Sequence, residues 1–513
     1  MEKIINRGLT WTFEKNGLYL KNQSGFRRGR GTMDNVIALE HFIKEGCNKI
    51  QPQNTYAVFL DVAKAFDTTW IQGILYKLSK KGVTGKTLFL NPRSQRGNAP
   101  GRPFRQRSTM DQTNRSHYKQ NNQAQRLIQD TQQKKHGPNV DSLCIMYKAL
   151  VRARSRMEYG IMSYGCSSKI RQKRLETIQN CIFRIILGAP STTPIKELQC
   201  ELGLTSIENR RTWLSGRFII RIDKQTQHPL YQNCYNMWRS PKSWKEQNVP
   251  SLKTAIDQTR IADIDLFNTL PDYRRQCQEP PPWRESNINI GHLPISKKHA
   301  MLNQSAARSL FCEITHRLPE TAIKIYTDGS LNPSAKTTTC AVVIPSLSIE
   351  EAYTLEENSS IFTVEGYGIL KAMELILQHN DPITEITIFI DSKLIIQALN
   401  SPGKEKQQIV HSIMQAAEGL RSAGTKATVY WIPSHVGIDG KEKADRLAAT
   451  ESSSNELTNR IHNKLSVNEQ CVQLKIHLQN KFLEELKKEN NKPNLQLRNK
   501  IGLLNGITTS QAN

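Results

Sequence analysis

At 513 residues the chain is long enough for more than one core. Its hydrophobic share of 37% and mean hydropathy of −0.54 suggest folded modules joined by poorly ordered stretches, and no apolar run approaches the roughly 20 residues of a membrane span. A formal net charge of +25 favours a nucleic-acid partner, since each neutralised phosphate releases condensed counterions; a basic solubilising surface or a membrane-surface patch is the alternative from charge alone.

Ten cysteines without a CxxC pair argue against a zinc site or a disulfide framework and fit a reducing compartment. The N-terminus lacks the apolar core of a signal peptide. The chain therefore reads as soluble and intracellular, with nucleus and cytosol not separated.

Residues 1–90 carry local pattern. "TMDNVIALEHFIKEGCNKI" has helical spacing, with Val36, Leu39, Phe42 and Ile43 on one face. "YAVFL" reads as a buried strand leading to a carboxylate, and "IQGILYKLSKKGV" as an amphipathic helix closed by Gly82. From 91 to 138 the chain is rich in Gln, Asn, Arg and Ser, with too little apolar surface to offset its ordering entropy, and is expected to be a disordered basic tether. Order returns over 139–225, where Leu175, Ile178, Ile182 and Ile185 fall at helical intervals and Gly188-Ala-Pro190 stops the helix. Residues 226–320 read as a Pro-interrupted linker with short helices. Strands and helices then alternate over 321–452, the mark of an α/β domain, before a helical tail and an unstructured end over 453–513.

Four acids stand at element ends in that α/β segment. Asp328 follows the strand "KIYT", Glu365 lies early in the helix "TVEGYGILKAMELILQ", Asp391 ends the strand "EITIFI", and Asp445 lies early in the helix "GKEKADRLAAT". Singly, each has an ordinary reading: turn residue, helix-dipole partner, N-cap or solvated helix residue. Together they can converge. Clustered carboxylates repel and raise one another's pKa, and hard divalent cations with all-oxygen ligands, Mg²⁺ or Mn²⁺, relieve that repulsion. Two such ions can activate a water and stabilise the leaving oxygen of a phosphoryl displacement. His435, on the loop before Asp445, has a side chain suited to proton transfer.

In order and spacing, "YTDGS", "FTVEGYGILKAMELI", "IFIDSKLIIQAL" and "WIPSHVGIDGKEKADRLA" resemble type-1 ribonuclease H. The resemblance implies a mixed five-stranded sheet with flanking helices and endonucleolytic, two-metal hydrolysis of the RNA strand of RNA–DNA hybrids. It makes Asp328, Glu365, Asp391 and Asp445 ligands of two Mg²⁺ ions, for which Mn²⁺ can substitute, and puts His435 on the proton-transfer loop. Gly329, Ser330 and Ser392 are the substrate-binding candidates, with Gly329 and Ser330 forming a small turn open to a nucleic-acid backbone. The family's usual Gly-Asn-Glu is here Gly440-Lys441-Glu442, and its Ala-Glu-Leu is Val364-Glu365-Gly366. No membrane contact and no small-molecule cofactor are expected, and the oligomeric state is open.

The N-terminal blocks "NQSGFRRGRGTMDNVIAL" and "AVFLDVAKAFDTTW" resemble the fingers and first palm motif of reverse transcriptases of non-LTR, jockey-like retrotransposons. Asp61 would be the catalytic carboxylate and Asp67 closes the block; residues 139–225 resemble the thumb-like region beyond the palm. A polymerase also needs a second carboxylate pair, and no Asp-Asp occurs in the chain. The expectation is a truncated polyprotein remnant that has lost polymerase activity. The alternative is a catalytically inactive nucleic-acid-binding remnant.

Overall fold

The computed structural model describes residues 2–27, 29–60, 70–84, 138–153, 158, 160–164, 169–239, 243–264, 266–267, 288–332, 337–401, 408–453, 459–463 and 465–489. They fall into two compact units, one drawn from Phe13–Asn268 with the tail from Leu474, the other from Thr269–Gln473 with a short N-terminal piece. The tether expected over 91–138, except Pro138, lies outside the described residues, as do Asp61 and Asp67.

The first unit is helical, with no strand among its described residues. Helices α1 (Glu2–Lys15), α2 (Thr32–Cys47) and α3 (Ile71–Lys80) precede α4 (Val140–Met146), which the Asn139 side chain caps by accepting from Ser142 N at 2.9 Å. After α5 (Ile161–Tyr164), helix α6 (Lys169–Leu187) packs Ile178, Ile182, Phe183 and Ile186 against Leu143, Tyr147, Val151 and Leu198, as its 3.6-residue pattern predicts. Gly188, at φ +63°, ends it in the left-handed conformation that glycine adopts without steric cost. The unit continues through α7 (Ile195–Leu202), α8 (Ile207–Asp223), α9 (Tyr231–Arg239) and α10 (Ser251–Ile261).

Two expectations change here. On α2 the buried face is Asp34, Ile37 and His41, and Phe42 is exposed. Asp34 is drawn inward by Arg221 at 2.8 Å and His228 at 3.5 Å, so an ion pair chooses the face where apolar spacing alone pointed one residue round. "YAVFL" is neither a strand nor buried: Tyr56, Val58, Phe59 and Leu60 are all exposed. Among the described residues no strand pairs with it, and strand propensity forms no ladder without a partner.

The second unit is built on one mixed sheet of six strands, one more than the family resemblance implies. They are β1 (Ile288–His292), β2 (Ile323–Asn332), β3 (Thr337–Ile344), β4 (Ile349–Leu355), β5 (Glu385–Ile390) and β6 (Lys426–Trp431), in the order β1-β6-β5-β2-β3-β4. β1 is the added strand and runs parallel to β6 on the sheet edge, from Ile288 opposite Ala427 to His292 opposite Trp431. β6, β5 and β2 are parallel neighbours, whereas β2, β3 and β4 are antiparallel.

Helices cover both faces, which is why the central strands read as near-continuous apolar runs. On one face Ile325, Ile388 and Val429 meet Ile369 and Met373 of α13 (Ile361–Gln378) and Val410 and Ile413 of α15 (Gln408–Ser422). On the other, Tyr326, Phe389 and Trp431 meet Ala307 of α12 (Gln304–Arg317) and Ala444 of α16 (Asp439–Ser453). Short α11 (Lys297–Leu302) leads into α12, α14 (Lys393–Asn400) follows β5, and α17 (Val467–Glu489) closes the described chain. On α13 the buried face includes Ile369, Leu370, Met373 and Ile376, while Leu377 is 41% exposed.

Candidate functional site

The site forms where β2 parts from β5. β2 pairs with β5 only from Ile323 to Tyr326, and with β3 from Tyr326 to Asn332. Asp328 is therefore not a strand-end turn residue; it lies within the β2–β3 ladder opposite Ala341, two residues past the last pairing with β5. Beyond Ile390, β5 gives way to Asp391 in the same gap. Strand alternation turns Asp328 and Ser330 to the α16 face and Gly329 to the α13 face.

Glu365 comes in from α13. Ser360 caps that helix, its Oγ accepting from Thr363 N, and Glu469 at the start of α17 accepts from Thr363 Oγ1 at 2.7 Å, fixing the first turn. Gly329 lets the helix approach. A Cβ there would lie 3.1 Å from Val364 Cγ1, 3.2 Å from Glu365 Cγ and 3.3 Å from Glu365 N, so a side chain would compete with Glu365 for space. Carboxylate oxygens of Asp328, Glu365 and Asp391 lie within 4.8 Å of one another.

Asp445, on α16, reaches this set through Lys441, one helical turn earlier. Lys441 is 1% exposed. Its Nζ donates to Thr327 O at 2.9 Å and to Asp328 Oδ1, and lies 3.0 Å from Asp445 Oδ1 and 3.3 Å from Asp391 Oδ1. The last two contacts are ion pairs without hydrogen-bond alignment. His435 stands outside the burial: its side chain is 78% exposed, its φ is +53°, and Nδ1 lies 3.4 Å from Asp445 Oδ2. Two α12 residues brace that loop, Arg308 Nε donating to Val436 O at 2.7 Å and Gln304 Nε2 to His435 O at 3.3 Å. Ser392 is the N-cap residue of α14, without a side-chain cap bond.

Burial and mutual repulsion shape the charges. Burial pushes Asp328 up to about 6, with Asp445 and Asp391 adding to the rise and Lys441 opposing it. Burial first, then Asp391, raises Glu365 well above the usual carboxylate range. Lys441 moves the other way for a buried amine: desolvation disfavours its charge, but Asp391, Asp328, Glu365 and Asp445 outweigh that and hold it as an ammonium.

The donor set fits a hard divalent ion. All its atoms are carboxylate oxygens, and buried Glu365 Oε2 has no hydrogen-bond partner. Residues 320–453 match the RNase H family model. The chain thus carries an RNase H domain, and its six-stranded sheet with flanking helices accords with that family. That match supports hydrolysis of RNA–DNA hybrids in general and implies nucleic-acid binding for this segment, and its three clustered acids could hold a divalent metal of the kind RNase H domains use. No helix among the described residues is long and apolar enough to cross a membrane.

Sequence reasoning missed the part that Lys441, Arg308 and Gln304 play. Lys441 was legible as a departure from Gly-Asn-Glu, but not its insertion among the acids. Arg308 and Gln304 lie before the family match, on a helix whose sequence carries no site signal.

Proposed function

We propose that this chain cleaves the RNA strand of RNA–DNA hybrids endonucleolytically, with Mg²⁺ as the metal and Mn²⁺ as a substitute. Asp328, Glu365 and Asp391 would hold the metal, joined by Asp445. The observation that carries the reading is the convergence of carboxylates from β2, α13 and the end of β5 inside the RNase H match. When bound, two divalent ions would supply an activated water and charge stabilisation at the leaving oxygen. The chain's own residues do the remaining work. Asp328 and Asp391 are set by the sheet, and Glu365 by a helix fixed at its capped end. His435, exposed and beside Asp445, is placed to exchange a proton with solvent. Gly329, Ser330 and Ser392 border the acids and are the proposed substrate contacts, Ser330 on the face of Asp328.

A second reading, hybrid binding without cleavage, is favoured by Lys441 Nζ standing among the same carboxylates. The motif order supports reading the chain as the remnant of a non-LTR retrotransposon polyprotein. In that reading the segments 1–90 and 139–225 derive from a reverse transcriptase, Asp61 is vestigial, and no templated synthesis remains.

The test is incubation of the full chain with a labelled RNA–DNA hybrid over a wide range of Mg²⁺ and Mn²⁺. RNA-strand cleavage is expected, with loss of cleavage in Asp391→Asn. That variant should fold, because Trp431 Nε1 bonds the backbone oxygen of Asp391 at 3.1 Å and not its side chain. Hybrid binding without cleavage at any metal concentration would refute the enzyme reading, and primer extension would refute the loss of polymerase.

A further inference from the structure

The side chain that distinguishes this site is Lys441. Its ammonium is nearly inaccessible and meets four oxygens: Thr327 O, Asp328 Oδ1, Asp391 Oδ1 and Asp445 Oδ1. Two of those acids belong to the three-carboxylate set that fits a divalent ion. A divalent ion binds carboxylate oxygens at about 2.0–2.6 Å, and Nζ already lies against two of the three carboxylates it would use; two cations that close repel strongly with water excluded.

We infer that Lys441 is a built-in counter-cation of the carboxylate cluster, so that a divalent ion enters only in competition with its ammonium. The inference rests on the proposed function only in taking the cluster as the metal centre. The ordinary reading, a solvated lysine on a helix face, fails on burial: a lone ammonium at 1% exposure is costly, and here Nζ meets four oxygen acceptors. The lysine also offsets the mutual repulsion of these acids, since it lies against three of them at once. A neutral side chain at this position would not compete. Weak metal affinity is therefore the expected property of this chain, relieved by removing one charge.

Mn²⁺ binding to the full chain tests this by calorimetry and by thermal unfolding with and without the ion. The wild-type chain should show no saturable site below about 1 mM and no shift in unfolding temperature at lower concentrations. Lys441→Asn and Lys441→Met should each bind Mn²⁺ at least about tenfold more tightly and gain a metal-dependent rise in unfolding temperature, lost again with Asp391→Asn. A variant that folds only with Mn²⁺ present supports the inference equally. A sub-millimolar site in the wild-type chain at the acids, or variants that bind no more tightly, would overturn it. Hybrid cleavage read in parallel separates the two proposals. Tighter binding without cleavage in any chain leaves Lys441 as the counter-cation and removes the enzyme reading; cleavage with unchanged affinity does the reverse.

Discussion

Gly329→Ala tests the geometry of the site most directly. The added Cβ would meet Val364 Cγ1 at 3.1 Å, Glu365 Cγ at 3.2 Å and Glu365 N at 3.3 Å. One of these atoms is backbone and another belongs to fully buried Val364, so relief requires the first turns of α13 to move a few tenths of an ångström from β2. Overpacking of this kind costs about 1–3 kcal/mol, and the reduced freedom of the unfolded chain returns about 0.4–1 kcal/mol. The expected net destabilisation is about 1–2 kcal/mol, seen as a drop in unfolding temperature of about 2–4 °C per kcal/mol. The same shift displaces Glu365 from Asp328 and Asp391. Because a misplacement near 1 Å costs about 100-fold in rate, a shift of a few tenths should lower hybrid cleavage by about tenfold. Thermal unfolding and cleavage rate at saturating Mn²⁺ measure both. Wild-type stability together with wild-type rate would show that the glycine is not what lets Glu365 approach, and the reasoning would fail.

Gly366→Ala should gain about 1 kcal/mol of helix propensity. Its Cβ would fall 2.6 Å from Ile409 Cγ1, a branched side chain only 5% exposed, so packing loss of about 1–3 kcal/mol should win. A stabilised variant in urea unfolding would contradict this. Glu469→Ala removes the acceptor of Thr363 Oγ1 at 2.7 Å and should cost about 1–3 kcal/mol by the same measurement. In the helical unit, burial would raise the Glu158 pKa, but hydrogen bonds and ion pairs from Arg210 and Arg152 outweigh it and hold the carboxyl below its ordinary 4.5. That stability is present above 4.5 and is lost as pH falls through the lower folded value. Glu158→Gln should therefore be less stable than wild type near neutral pH by about 1–2 kcal/mol, the gap closing in acid. A gap that persists unchanged to about pH 2 would exclude the ion pairs as its source.

What the sequence by itself determined is the set of local elements and acids. Period-two and period-3.6 patterns mark β5, α6 and α13, because alternation and helical spacing follow from backbone geometry alone. The four acids of the candidate site, His435, and the Lys441 departure are likewise legible in one dimension. Three-dimensional packing decided the rest. Whether "YAVFL" is a strand depends on a partner, and the α2 face turned on an ion pair to Arg221, a residue 187 positions away in sequence. The sixth strand, β1, carries too few residues to announce itself and exists through its ladder with β6. Asp328 proved to sit inside a continuous strand, because β3 carries the ladder past the point where β5 leaves it. Lys441 shows the difference most plainly. An ammonium beside an acid in sequence is ordinarily solvated; only the packing of α16 on β2 buries this one among carboxylates from its own helix and two other elements, and burial strengthens its hold on them.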